Sequence, residues 1–327
     1  MSLIEQHDGL LLDLDGTVWE GGRAIPGAVD FINSCGVESI YVTNNASRAP
    51  EEVAKKLVGI GLNTTAEKVL TSAQAAVTLA AQHVQKGVKT LVIGAESFRD
   101  IARAAGFEVV SSADDRPELV LQGFDPTVDW AQLTEGTLAI RQGAKYIASN
   151  LDTSLPMERG LAVGNGSLVK AVETATGVAP LSAGKPEPEM FTQAAHIIGA
   201  KRPLAVGDRL DTDIAGGNAA AMNTFHVLTG VSRELALIEA APDFRPNFIG
   251  NGLADLALDV ETVQPGPQGG FTSRVDGFDV LVENGDPGAT AIQALRTVLQ
   301  VVWAMPKPPR YVRPNSDVAE AALKDWS

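Results

Sequence analysis

The sequence predicts an α/β protein: a doubly wound, largely parallel sheet as core, a second α/β unit inserted into it, and a small C-terminal α/β extension. Three observations carry this. Short β-rich apolar runs alternate with amphipathic helical patterns along most of the 327 residues, the rhythm of a parallel sheet covered by helices. These runs are too many for one doubly wound domain of ordinary size, so an insertion is the simpler account. The composition then shifts after Val263, where Gln264-Pro-Gly-Pro-Gln-Gly-Gly270 reads as a linker. The expected boundaries are 1–78 with 180–262 for the core, 79–179 for the insert and 263–327 for the extension.

The first strand is expected over 9–15, followed by a loop or small hairpin in the Gly-rich stretch 19–24. Pro26 opens a helix. The second strand, 39–43, runs into Asn44-Asn45, and Pro50 starts a helix with apolar residues Val53, Leu57 and Ile60 at helical spacing. Both strands are near-continuous apolar runs, as strands buried on two faces must be. Further strands are predicted over 90–93, 119–122, 145–148, 203–207, 224–228 and 247–249. In the extension, runs at 272–275 and 278–282 flank an Asp276-Gly277 turn, and an apolar helix covers 289–305.

Charge narrows the function. With 40 acidic against 26 basic side chains the net charge is −14, which repels nucleic acid and anionic lipid, so neither is an expected partner. The same field repels a phosphorylated substrate unless a metal, a lysine or helix N-termini are concentrated at one place. The single cysteine, Cys35, allows no disulfide within the chain and fits a reducing cytoplasm. It has no neighbouring His, so a nucleophilic role is not expected. No segment approaches the ~18 consecutive apolar residues of a membrane span, and the N-terminus does not resemble a signal peptide. A cytoplasmic protein is expected.

The chemistry concentrates at strand ends, where ligands bind in open α/β sheets. Asp13-Leu-Asp15-Gly16-Thr17 places two carboxylates at the end of the first strand. An ionised Asp can attack phosphorus, and a second can protonate the leaving oxygen and then activate water. Gly16 permits a tight exit, and Thr17 is placed to orient the carboxylates. Gly207-Asp208-Arg-Leu-Asp211-Thr-Asp213 follows another apolar strand. Mg²⁺ takes few protein oxygens and keeps several waters; Asp208 is placed as a ligand, and Asp213 either as a second ligand or as the anchor of a bound water. Asp211 is expected to cap the following helix. Lys185, in an extended segment before a helix near Pro188, can neutralise nucleophile and phosphoryl oxygens together. Thr43, Asn44 and Asn45 offer hydroxyl, amide and N–H groups to a phosphate. Each segment taken alone also reads as ordinary turn and capping residues.

Together and in this order, Asp13-x-Asp15-Gly-Thr, Thr43-Asn44, Lys185 and Gly207-Asp208 with Asp213 resemble the haloacid dehalogenase superfamily of phosphatases. The resemblance implies a Rossmann-like core, Asp13 as nucleophile, Asp15 as general acid and base, and Lys185 as the catalytic cation. It further implies phosphate binding by Thr43, Asn44, Asn45 and Lys185, and Mg²⁺ held by Asp13, Asp15 (through its main-chain carbonyl), Asp208 and Asp213. Asp15 is the acid that family dehalogenases lack. The roughly 140 residues between Asn45 and Lys185, with the strings Val42-Thr-Asn-Asn-Ala-Ser47 and Ala148-Ser-Asn150-Leu-Asp152, are similar to the NagD-like, p-nitrophenylphosphatase-type group with a large α/β cap. On that resemblance Asn150, Asp152 and the loop 157–164 face the substrate, which is a small phosphorylated metabolite. The length is similar to the glycerol-3-phosphate sub-branch, so glycerol 3-phosphate is the expected substrate. Phosphoglycolate, pyridoxal phosphate, a sugar phosphate or a nucleoside monophosphate are alternatives. A phosphomutase and a non-catalytic metal- or partner-binding protein are the rivals of other classes. A homo-oligomer formed through the cap or the extension is also compatible with the sequence.

Overall fold

The structure, a computed structural model, describes residues 1–157 and 159–327. The chain divides into two compact units, Met1–Ser39 with Ile198–Ser327, and Ile40–Ile197. None of the helices among the described residues is long and apolar enough to cross a membrane.

In the first unit four parallel strands lie in the order Phe248–Gly250, Asn223–Val227, Pro203–Gly207, Gly9–Leu12. Leu10, Leu11 and Leu12 are fully buried, which is why that run is apolar without alternation. Regular pairing stops at Leu12 rather than at Asp15, although Asp13 N–H still donates to the Val206 carbonyl. Because all four strands run the same way, Asp13, Asp208, Leu228 and Asn251 follow their strands at one edge of the sheet.

The segment after Val263 belongs to the same unit. An antiparallel hairpin, Phe271–Asp276 with Asp279–Asn284, carries a third strand, Val312–Pro314, and the helices Ala291–Val302 and Asp317–Leu323. Val280, Val282, Leu295 and Leu299 form one continuous core with Leu210, Ile214, Leu237 and Ile249. The expected linker is in fact a strap. Gly266 N–H donates to the Arg296 carbonyl at 2.9 Å and Gln268 N–H to Thr297 Oγ1 at 3.0 Å, so its Pro and Gly residues shape a bound segment rather than a free one.

In the second unit, Val69–Thr71 pairs in parallel with Tyr41, Val42 and Thr43, the end of the strand Glu38–Thr43. A separate five-stranded parallel sheet has the order Leu181–Ser182, Lys145–Ala148, Leu119–Gln122, Lys89–Ile93, Glu108–Val110. Its core includes Leu91, Val120, Ile140, Tyr146 and Val169. The stretch read as a loop over 157–164 is largely the hairpin Ser154–Met157 with Gly160–Val163; residue 158 lies outside the described residues. Leu161 and Val163 on this hairpin are exposed by 76% and 59%.

Candidate active site

In the first unit the site begins where the strand Gly9–Leu12 gives way to Asp13. One ligand oxygen each of Asp13, Asp208 and Asp213 lies within 4.8 Å of the others. Asp208 is fully buried and Asp213 is 2% exposed. At such separations two carboxylates repel by about 3 kcal/mol even at an effective dielectric of ~20. An all-oxygen set of this charge fits a hard divalent cation such as Mg²⁺ or Ca²⁺.

The backbone is shaped to this cluster. Gly16 sits at φ +87°, and a Cβ there would lie 2.5 Å from Asp208 Oδ2. A Cβ on Gly230 would lie 2.0 Å from the same oxygen, and one on Gly207 would lie 2.2 Å from Asp213 Cβ. Only residues without a side chain let the chain pass so close. Asp208 Oδ2 accepts from Val231 N–H at 2.6 Å, and Asp213 Oδ2 from Arg209 N–H at 3.1 Å.

Asp15 accepts a hydrogen bond on Oδ1 from the Trp19 indole at 2.9 Å, while Gly16 N–H donates to the Trp19 carbonyl. Two expectations are corrected here. Thr17, expected to orient the carboxylates, is buried, and its hydroxyl makes no hydrogen bond among the described residues. Asp211, expected to cap a helix, instead takes a two-pronged bond from Arg209, Nε at 3.1 Å and Nη2 at 2.7 Å. Burial works to raise the Asp211 pKa, but the bonds and charge of Arg209 outweigh it and hold the carboxyl below its ordinary range. The chain at 210–214 forms a π-helical turn, so Asp211 is not aimed at orphan N–H groups as an N-cap would be.

The loop after the strand Asn223–Val227 went unrecognised in the sequence, although its place at the same sheet edge and its Gly230 were the available signals. Thr229 Oγ1 donates to the Gly16 carbonyl at 2.6 Å, Ser232 N–H to the Asp208 carbonyl, and Ser232 Oγ accepts from Leu210 N–H. Beneath it, burial pushes His226 down to about 4. Its Nε2 donates to the Ser232 carbonyl at 2.9 Å, so the ring props the loop from below.

The second unit gathers the other predicted residues. Lys185 is 4% exposed, and its Nζ donates to the Val42 carbonyl at 3.1 Å. Asn44 clasps the lysine's backbone: Oδ1 accepts from Lys185 N–H at 2.8 Å and Nδ2 donates to the Lys185 carbonyl at 3.1 Å. The same Nδ2 donates to Asp152 at 3.1 Å, and the Asn44 carbonyl accepts from Ser72 Oγ and Asn150 Nδ2. Asn150 is itself buried, with Oδ1 accepting from Asp152 N–H. Thr43 Oγ1 accepts from Asn45 N–H, and Asn45 Oδ1 accepts from Ser47 N–H and Oγ in an Asx-turn ahead of the helix Pro50–Gly59.

Comparison with known proteins fits this arrangement. Residues 10–108 match the haloacid dehalogenase-like hydrolase family, and residues 182–256 a HAD-hydrolase-like family. A D-glycerol 3-phosphate phosphatase of Mycobacterium tuberculosis is 41% identical over 100% of this chain and 96% of its own length. An acid sugar phosphatase of Staphylococcus saprophyticus is 38% identical over 70% of this chain and 89% of its own. The crystal structure of the M. tuberculosis glycerol phosphate phosphatase in complex with magnesium superposes with a TM-score of 0.95, covering 100% of this chain and 99% of that one at 41% identity. A 4-nitrophenylphosphatase from Thermotoga maritima gives 0.73 at 27% identity, over 80% of this chain and 100% of that one. The chain belongs to the haloacid dehalogenase-like hydrolase family.

Proposed function

We propose that this protein is a Mg²⁺-dependent phosphatase of small phosphate monoesters, with glycerol 3-phosphate as its substrate. The observation that carries the chemistry is the convergence of Asp13, Asp208 and Asp213 within 4.8 Å beside a second strand-end acid, Asp15. The substrate assignment is supported by the relative that matches over the full chain, where the sugar phosphatases match over 70%.

Asp13, Asp208 and Asp213, with the Asp15 carbonyl, would hold the metal, which when bound offsets their repulsion and the charge of the ester. Asp13 attacks phosphorus, and the bond from phosphorus to the ester oxygen breaks. Asp15 gives its proton to the departing alkoxide, which leaves as the alcohol. It then takes a proton from water, whose oxygen attacks the phosphoaspartate, releasing phosphate and returning Asp13. Trp19, donating to Asp15 Oδ1, restrains the acid through both steps. Lys185 is assigned to the phosphoryl charge, Thr43, Asn44 and Asn45 to phosphate, and Asn150 and Asp152 to the substrate-facing side of the cap. In this assignment residues 1–78 and 180–262 are the catalytic core, 79–179 the cap and 263–327 an extension. The enzyme acts in the cytoplasm, and its cap or extension offers surface for a homo-oligomer.

Asp13→Asn tests the chemistry. With magnesium present, phosphate release from glycerol 3-phosphate should fall by about 10⁴-fold or more, since an amide forms no acyl phosphate. Release within tenfold of the parent would refute a phosphoaspartate route. In the parent, phosphate must accumulate in proportion to substrate lost; a transferred, unreleased phosphate would mark a mutase.

A further inference from the structure

Arg296, on the helix Ala291–Val302, is 2% exposed and the largest fully buried side chain among the described residues. A buried guanidinium is costly unless its donors are used, and an apolar residue would fill such a place more cheaply. Here Nε and Nη2 both donate to the Ile249 carbonyl, at 3.0 and 2.6 Å. Nη1 donates to Gln268 Oε1 at 3.3 Å, and Asp255 lies 3.8 Å from Nη2. Burial lowers its pKa to about 10, so it is still a cation at neutral pH.

Ile249 is the middle residue of Phe248–Gly250, the last strand in the first unit's order. The Gly250 carbonyl faces the neighbouring strand, where it accepts from Leu228 N–H at 3.0 Å. By alternation along a strand, the Ile249 carbonyl faces outward, where a buried acceptor needs a donor. Arg296 provides two. Leu228 in turn opens the loop whose Thr229, Val231 and Ser232 hold Gly16 and Asp208. The helix leaving that loop, Glu234–Glu239, is tied to the same C-terminal segment. Trp303 Nε1 donates to the Leu237 carbonyl, and Leu235 N–H to the Ser327 carbonyl.

We propose that Arg296 is a positioning residue for the acidic centre. By pinning Ile249 from outside the sheet, it fixes the strand on which the 228–232 loop is registered, and through that loop the place of Asp208. The proposal rests on the metal-dependent phosphatase assignment above.

The test measures Mn²⁺ affinity of the full chain from the electron paramagnetic resonance of free Mn²⁺, alongside kcat and KM for glycerol 3-phosphate with Mg²⁺. Arg296→Met should weaken Mn²⁺ binding about tenfold, the low end of the loss seen when a ligand's supporting group goes. It should lower kcat and leave KM within about twofold of the parent. Arg296→Lys keeps a charged donor but offers one nitrogen for two, so its Mn²⁺ constant should rise only about threefold. A folded Arg296→Met with a lower thermal midpoint but unchanged Mn²⁺ constant and kcat would overturn the proposal, reducing Arg296 to a structural role. If Arg296→Met does not fold, Arg296→Lys decides: a weakened Mn²⁺ constant supports positioning and an unchanged one overturns it. Failure of the parent to bind Mn²⁺, or undiminished binding by Asp208→Asn, would instead sink the assignment of the acidic centre itself.

Discussion

The strand-end edge of the first unit and the polar knot of the second are built on opposite plans. At the edge, three carboxylates lie within 4.8 Å of one another, and two of them, Asp208 and Asp213, are packed against glycines and held by main-chain N–H groups. In the knot, Asn44, Asn150 and Asp152 are neutral amides and a carboxylate bonded to one another and to the Lys185 backbone. The edge concentrates carboxylate oxygens, the donor set of a hard cation; the knot ties amides to neighbouring protein groups. The difference teaches which group acts and which one positions: substitutions at the edge should be read in ligand affinity, and substitutions in the knot in stability.

That contrast breaks first at Asn44. Asn44→Ala takes partners from the Lys185 N–H, the Lys185 carbonyl and Asp152, so the loss should be about 3 kcal/mol, at 1–3 kcal/mol per buried group left unpaired. Urea unfolding of the full chain measures it; a loss under about 0.5 kcal/mol would mean the clasp is ornamental. Gly230→Ala probes the other side. Its new Cβ, 2.0 Å from Asp208 Oδ2, must push the carboxylate aside. Mn²⁺ affinity should fall by roughly 30-fold with the thermal midpoint little changed. Affinity held at the parent value would show that the cluster yields without consequence.

The smallest effect is expected at His7, which belongs to neither region and controls for them. His7 is buried; its Nε2 faces the Asn223 amide nitrogen at 3.1 Å and its Nδ1 the Leu3 carbonyl at 3.0 Å. An amide nitrogen only donates, so Nε2 must accept and the ring must be neutral. Burial, with a smaller contribution from Arg202, lowers its pKa although the Leu3 bond opposes the shift. A histidine lowered in the folded state stabilises above its unfolded pKa of 6.5 and loses that contribution as pH falls below it. Between pH 7 and pH 5.5, His7→Gln should flatten the fall in the urea midpoint by an amount equivalent to at most about 1 kcal/mol, one hydrogen bond. Parallel slopes in parent and variant would remove His7 from the account.

Much of this was legible in the sequence, for definite reasons. The strands at 9–12 and 203–207 are unbroken apolar runs, so their ends, and with them Asp13 and Asp208, stand out. Single-sequence patterning could not supply the partners that chain geometry selects. Nothing periodic links Trp19 to Asp15 or Thr229 to Gly16, and neither bond has a composition cue. Asp211 looked like a cap because Asp is a good one; a π-helical turn and Arg209 redirected it. The strands at 69–71, 108–110 and 312–314 have three residues each, too few for a period to declare itself.

The glycines at 16, 207 and 230 carry a further consequence. They are the mould of the acidic centre, and a mould constrains what evolution can try. Any side chain added there displaces a carboxylate before it meets solvent, so drift at these three positions is closed even though none of them does chemistry. Neighbouring surface positions such as Gly21 and Gly22, where an added Cβ meets nothing within 4 Å, carry no such crowding against substitution. Tolerance to substitution, mapped residue by residue along this chain, would trace the outline of the carboxylate cluster in the negative.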